Sequence, residues 1–147
     1  MTPFQERLGR VTVQWMTGMN IVAYRLSGGR VAGHVPSGAP ICLLTTTGRR
    51  SGLRRTVPLL YVPDGDNFVV VASRGGMGSH PAWYLNLLAE PSASVQVGME
   101  IRRMRARDAT EEERGRLWPT LTAAYRHFDA YQARTPRHIP VVILSPA

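Results

Sequence analysis

Three apolar runs separated by turn residues constrain this chain most. Ile41 to Thr47, Leu53 to Val62 and Phe68 to Ser73 are rich in aliphatic and β-branched residues; Pro40 and Gly48 bound the first, Gly52 and Pro63 the second, and Asn67 and Arg74-Gly75 the third. They read as three successive strands. Pro63-Asp64-Gly65-Asp66 is a hairpin turn signal between the second and third. Pro58 has no N–H to give to a ladder, so the second run belongs on an edge or at a bulge. The third run does not alternate, as expected of a strand covered on both faces.

The rest of the chain extends this pattern. Ser94 to Gly98 and Ile101 to Arg107 form a second hairpin around Gly98-Met99-Glu100. In its second strand Ile101, Arg103, Arg105 and Arg107 share one face, and Arg102, Met104 and Ala106 the other. Ile139 to Leu144 is a last strand, and Arg30 to Ala32 a short additional one. Phe4, Leu8, Val11, Trp15, Met19, Val22 and Leu26 recur every three or four residues, which predicts an amphipathic helix over residues 2–26, stopped by Gly28-Gly29. That stripe packs on the sheet or, with Trp15, rests in part on a membrane surface. A helix runs from Pro81 to Ala89, with Pro81 at its first position, Ser79 or His80 as cap, and Pro91 as stop. Thr110-Glu111-Glu112-Glu113 is a capping box, and Pro119 kinks or restarts the helix it begins. Tyr125, Phe128 and Tyr131 are three apart and make one aromatic strip on a helix. Six or seven strands, mostly joined by hairpins with helices inserted, give an α+β fold built on a barrel-like sheet.

The 147 residues fit one domain over 1–147, with an N-terminal helix within 1–28 and a core from 40 to 147. No apolar run is long enough to span a bilayer, and no signal-peptide layout is present, which places the chain in the cytoplasm, with peripheral contact at the inner membrane face left open. Cys42 is the single cysteine and lies in an apolar run, so it reads as a small buried hydrophobe. The net charge is +8, all 18 basic residues are arginine, and before Asp64 the only acid is Glu6 against eight arginines. Such a field favours an acidic ligand, an anionic membrane face or nucleic acid.

Two loops carry the chemistry. Arg49, Arg50, Arg54 and Arg55 fall within seven residues beside Ser51 and the hydroxyls of Thr45, Thr46 and Thr47, with Gly48 and Gly52 between them. Guanidinium forks, hydroxyls and glycine-flanked amides together suit phosphate or carboxylate oxygens. The second loop, Ser73-Arg74-Gly75-Gly76-Met77-Gly78, ends a strand and runs into a helix start, where backbone and ligand can approach closely. No metal-ligand spacing, nucleophile elbow, Walker loop or dinucleotide fingerprint is present. A chain with an anion turn, a glycine-rich loop, the aromatic residues Trp83, Tyr84, Tyr125, Phe128 and Tyr131, and no acid–base dyad leaves its reaction to a cofactor.

The residues T-T-T-G-R-R-S-G-x-x-R-x-x-P-L, D-G-D-x-x-V-V-V-A-S-R-G-G, H-P-A-W-Y-L-N-L and A-Y-x-x-F-D-A-Y-Q-A-R-T-x-R-x-I-P-V-V-I-L occur in that order between Cys42 and Leu144. Together they resemble the deazaflavin-dependent nitroreductase and quinone reductase family of actinobacteria. The resemblance implies a split β-barrel of the flavin-reductase and pyridoxamine-phosphate-oxidase type. It also implies coenzyme F420, an 8-hydroxy-5-deazaflavin with a lactyl phosphate and an oligoglutamate tail, as the cofactor. Hydride then passes from the reduced cofactor to a quinone, and in some members to a nitroaromatic. Carried over by motif, Arg50, Ser51 and Arg55 hold the phosphate and nearby tail, and Arg74 is a further phosphate contact. Ser73, Gly75 and Gly76 lie along the deazaflavin ring with Pro58 near it, and Trp83, Tyr125 and Tyr131 line the acceptor pocket. Phe128 stands where nitro-reducing members often have Tyr, which favours quinones over nitroaromatics. Two other readings stay open: a flavin mononucleotide (FMN) protein of the same barrel type, and a non-enzymatic basic module for anionic membrane or nucleic acid. Against nucleic acid, the arginines gather in one short turn and do not track a groove. Monomer and homodimer are equally compatible with the sequence.

Overall fold

A computed structural model of the chain describes residues 21–30, 32–34 and 38–147. Seven strands form one sheet: β1 (Ile41–Thr47), β2 (Arg54–Leu60), β3 (Val62–Asp64), β4 (Asn67–Val71), β5 (Ser92–Val97), β6 (Glu100–Asp108) and β7 (Val141–Pro146). Their order is β2-β1-β5-β6-β7-β4-β3, and every pairing is antiparallel. The first and last strands of that order are separated in sequence by Tyr61 alone. A sheet whose two edges are joined by one residue cannot lie flat, so it curls into a split barrel with its seam at the Leu60-Tyr61-Val62 corner. Tyr61 is buried there, its N–H donating to Pro40 O at 3.1 Å and its ring meeting Phe68 edge-on at 5.1 Å.

Alternation then sorts the side chains. Cys42, Leu44, Val70, Ala72, Val95, Met104, Val142 and Leu144 form one buried cluster, completed by Trp83, Tyr84 and Leu87 from helix α2 (Ala82–Ala89). Val69, Val71, Val141 and Ile143 face the other way and meet Leu117, Leu121 and Phe128 from helices α3 (Glu111–Ala124) and α4 (His127–Arg134). β4 is therefore covered on both faces, as its unbroken apolar run requires. Burial pushes the Cys42 thiol up to about 12, which leaves it a packing group at neutral pH.

Several local signals are realised. Gly65-Asp66 turns β3 into β4 and Gly98-Met99 turns β5 into β6, with both glycines at positive φ. At the Thr110 cap, Glu113 N–H donates to the Thr110 hydroxyl while the Glu113 carboxylate accepts from Thr110 N–H. Residues 21–27 are helical (α1), and Gly28 and Gly29, both at positive φ, end the helix with Gly29 N–H on Tyr24 O at 2.9 Å. The predicted residues 2–20 of that helix lie outside the described residues.

Other expectations are corrected. Leu53 to Val62 is not one strand, because the barrel corner breaks it at Tyr61, and Pro63 and Asp64 belong to β3 and not to the turn. Arg30 to Ala32 forms no strand among its described residues, and Ala32 has a left-handed φ of 60°. Helix α3 continues through Pro119 without restarting, and Thr122 Oγ1 donates to the Trp118 and Pro119 carbonyls just beyond. Neither Ser79 nor His80 caps α2: Pro81 is its N-cap, and no side chain bonds the free amides. The described end of the N-terminal stripe also faces the wrong way for core packing. Val22 and Leu26 are 56% and 85% exposed, while Tyr24, half a turn away, is 1% exposed. The Tyr24 hydroxyl is fastened to the β5–β6 hairpin, accepting from Gly98 N at 2.8 Å, and this fixes which face turns inward.

Candidate functional site

The arginine turn is closed by its own backbone. Gly48 N–H donates to Leu53 O and Gly52 N–H to Gly48 O, each at 2.8 Å, and the Ser51 hydroxyl accepts from Leu53 N at 3.1 Å. Gly52 has a φ of 71°, where a side chain would be strained. Polar groups thus satisfied in the loop leave Arg49 and Arg50 exposed at its tip. The β1–β2 register pairs Arg54 with Thr47 and Arg55 with Thr46, so the two arginines point to opposite faces. Arg54 donates to Ser94 Oγ at 2.9 Å, across a cavity of about 430 Å³ that Arg25, Thr45, Thr56 and Gln96 also line. Arg55 shares the face of buried Thr46. Pro58 pairs with Leu43 and lies on the Arg54 face of β2. Among the described residues the ion pairs are Arg102–Glu100, Arg107–Glu113, Arg116–Asp64 and His138–Glu111, so no turn arginine is neutralised by a carboxylate there.

Asn86 couples this turn to α2. It is 4% exposed; its Oδ1 accepts from Arg49 N at 3.1 Å and its Nδ2 donates to Thr46 Oγ1 at 3.1 Å. A buried amide with both ends satisfied holds its partners in one geometry. The middle of α2 is therefore tied to the arginine turn, and its N-terminus follows the glycine-rich loop.

That loop is a single 3-10 turn, Arg74–Gly76, following Ser73. Arg74 has a φ of 46°, and Gly76 a φ of 77°. A Cβ on Gly76 would lie 2.9 Å from both the Cα and the carbonyl oxygen of Tyr131, so the loop backbone is pressed against α4. Arg74 donates to the Ser79 hydroxyl. Arg137 donates to the carbonyls of Ala72, Ser73 and Met77 and to His80 Nδ1. Burial, with the Arg137 guanidinium adding to it, holds His80 below its usual range.

On the far side of Gly76 the predicted aromatic cluster forms. Tyr125, the C-cap of α3, lies 5.0 Å from Phe128 and 6.1 Å from Tyr131 between ring centres, and the two tyrosine hydroxyls are 3.0 Å apart. The hydrogen bond to Tyr131, then burial, raises the Tyr125 hydroxyl above its usual range. The strip is not an even row of pocket-facing rings. Phe128 is 5% exposed and belongs to the core beneath α3 and α4, and Trp83 is 7% exposed inside the barrel cluster. Tyr125 and Tyr131 are the half-buried members. Tyr84, beside Trp83, donates to both carboxylate oxygens of Asp108 at 3.0 Å; burial, then that bond, pushes its hydroxyl up to about 12.

The structure thus sets Gly76 of the Ser73–Gly76 loop against Tyr131, and Asn86 of α2 ties the arginine turn through Arg49 and Thr46. Asn86 and Arg137 were not singled out by sequence reasoning. Asn86 had a signal: it sits three residues after Trp83 in an apolar helix, where a polar side chain needs buried partners.

Comparison with known proteins follows the same lines. The F420H(2)-dependent quinone reductase family model matches residues 15–146. A Mycobacterium tuberculosis protein whose name carries the same description is 45% identical over 107 residues, covering 73% of this chain and 90% of its own length. A solved F420-H2 dependent reductase is 43% identical with a TM-score of 0.67, covering 72% of this chain and 94% of that one. Another solved structure, a domain-swapped dimer, is 36% identical with a TM-score of 0.70 over 95% of this chain and 99% of its own. HutZ of Vibrio cholerae, at 11% identity and a TM-score of 0.55 over 73% of this chain and 81% of its own, shares the fold alone. The motifs, the split barrel and these matches agree: this chain belongs to the F420H(2)-dependent quinone reductase family.

Proposed function

We propose that the chain binds coenzyme F420 and catalyses reduction of quinones by its reduced form. The observation that carries this is the arginine turn: exposed guanidiniums with no carboxylate partner among the described residues, on a hydrogen-bonded loop tied by Asn86 to α2, the helix that follows the glycine-rich loop. The residues fit the group, because a phosphate with an oligoglutamate tail is anionic and guanidinium forks match its oxygens. When bound, reduced F420 supplies the hydride. Arg50, Arg55 and the Ser51 hydroxyl, whose proton is free to donate, hold the phosphate and nearby tail, with Arg74 as a further contact. Ser73, Gly75 and Gly76 form the wall along the ring; Pro58, on the β2 face opposite Arg55, approaches the ring only from the sheet's other side. Trp83 and Phe128 back the pocket from the core, while Tyr125 and Tyr131 supply its polar surface. The Tyr125 hydroxyl, raised above its usual range and paired with that of Tyr131, keeps its proton at neutral pH, so the pair can donate a hydrogen bond to the quinone oxygen as charge develops there. Titration with oxidised F420 and with FMN tests the reading. F420 binds and FMN does not compete; tight FMN binding without F420 binding would falsify it.

Two finer points belong to the same proposal. Phe128 turns into the core beneath α3 and α4 and offers the acceptor no donor, so quinones are reduced well and bulky nitroaromatics poorly. Equal rates with menadione and a nitroimidazole overturn that point. Exposed Val22 and Leu26, with exposed Arg25 between them, suit peripheral contact with an anionic bilayer, where lipid-soluble quinones reside. No helix among the described residues is long and apolar enough to cross a membrane. Flotation with anionic liposomes is expected to carry the protein, and Val22→Asp with Leu26→Asp to abolish it; wild type left in the unbound fraction rejects the contact.

A further inference from the structure

The glycine-rich loop owes its shape to a side chain far away in sequence. Arg137 Nε donates to Met77 O at 2.7 Å, Nη2 to Ser73 O at 2.7 Å, and Nη1 to both Ala72 O at 3.2 Å and His80 Nδ1 at 3.0 Å. A guanidinium offers five N–H donors in a rigid plane, and this loop takes four of them, from both of its limbs. The base of the clamp is itself fixed. Gln132 donates to Arg137 O at 2.9 Å and accepts from Ile139 N at 2.9 Å and from Arg114 at 3.0 Å. Arg137 N–H meets Thr135 Oγ1 at 3.3 Å.

We propose, on the reading that this site takes F420, that Arg137 is the positioning residue of the glycine-rich loop and that His80 is the acceptor that orients it. Three carbonyls and one ring nitrogen drawn onto one planar cation hold residues 72–80 in the conformation the cofactor meets. The clamp acts through the loop, so its effect is read in cofactor affinity and in loop order.

The ring nitrogen makes the clamp sensitive to pH. His80 accepts through Nδ1 only while that nitrogen is unprotonated. The groups around it are Arg137 from the segment after α4, Tyr84 from α2 and Asp108 from β6, with Arg74 of the loop acting on Arg137. Asp108 alone favours the imidazolium; burial and Arg137 outweigh it and hold the ring neutral below its usual 6.5. A group whose folded pKa is depressed contributes stability that is present above its unfolded pKa and lost as pH falls through the folded one. The clamp is therefore intact at neutral pH and released only as pH falls through the depressed folded pKa of His80, when an imidazolium faces a guanidinium.

Amide hydrogen exchange of the ligand-free protein and F420 titration test this together. Arg137→Ala should raise exchange at residues 74–77 while β1 and β5 keep theirs, and weaken F420 binding by about tenfold to a hundredfold. Arg137→Lys, a point donor that cannot bridge both limbs, should lie between. His80→Gln keeps an acceptor at every pH, so the loss of F420 affinity seen in the wild type between about pH 7 and pH 5 should flatten. Wild-type exchange in the loop of Arg137→Ala overturns the proposal, as does a loosened loop with unchanged affinity, or a His80→Gln profile that follows the wild type. Where Arg137→Ala does not fold, Arg137→Lys and His80→Gln make the same comparison in folded protein. A wild type that does not bind F420 rejects the cofactor reading, and the exchange comparison still decides the clamp.

Discussion

Residues 48–55 and residues 72–80 both reverse the chain beside α2, yet they are held in different ways. The arginine turn is tied by its own amides, one serine hydroxyl and Asn86, and it leaves its cations unneutralised at the surface. The glycine-rich loop is shaped from outside, by the Tyr131 backbone against Gly76 and by Arg137 across its mouth. Free charge suits a flexible anionic tail, because long arginines can follow it. A flat ring needs a fixed wall, because displacement of its reacting atom by about 1 Å can cost a factor of a hundred in rate. On the proposed placement of the cofactor, the difference makes one site adaptable at one end and rigid at the other.

Matched glycine substitutions break that comparison most sharply. Gly76→Ala places a Cβ against backbone at positive φ, with nothing flexible to yield. We expect about 2–4 kcal/mol of destabilisation, read as a lower Tm, and loss of F420 binding. A mutant as stable as wild type would show that the loop is not pressed on α4. Arg55→Ala probes the other end, where unchanged Tm should accompany F420 binding weaker by about 1.5–3 kcal/mol. If affinity holds in that variant, the anion site lies elsewhere.

Asn86→Ala removes the link between the two ends. It strands Thr46 Oγ1 and Arg49 N–H, so about 1–3 kcal/mol of stability should go in chemical denaturation, with a weaker but measurable affinity. Full affinity would mean that the turn needs no tie to α2. Gly52→Ala should have the smallest effect. Its φ is positive like that of Gly76, but no atom lies within 4 Å of the added Cβ, so backbone strain of about 1 kcal/mol is the whole cost. A loss as large as that of Gly76→Ala would erase the distinction between the loops.

The hairpins, the capping box and the Gly28-Gly29 stop were legible because each depends on residues a few positions apart. β1 has the span that its sequence predicts, and β4 is covered on both faces as its apolar run implies. The strand order was not legible, since β4 pairs with β7 and β1 with β5 across long stretches of chain whose register no local pattern reveals. For the same reason Asn86 and Arg137 escaped: their partners are 37–40 and 57–65 positions away. The spacing of Tyr125, Phe128 and Tyr131 predicts one strip on a single helix; the rings do meet, but Tyr125 is the extended C-cap of α3 and only Phe128 and Tyr131 share α4. The spacing cannot say that Phe128 turns into the core, because that depends on where Trp118 and the far face of the sheet lie.

The place of β7 has a consequence for how the molecule is made. It lies between β6 and β4, and it follows every one of its neighbours in sequence. During synthesis both must wait with unpaired edges, including the apolar Phe68 to Val71 stretch, until residues 141–146 arrive. Arg137 lies just ahead of that strand, so the docking that seals the barrel also delivers the guanidinium to its loop. Cofactor competence is then acquired in the same event as closure, and a nascent chain short of β7 lacks both.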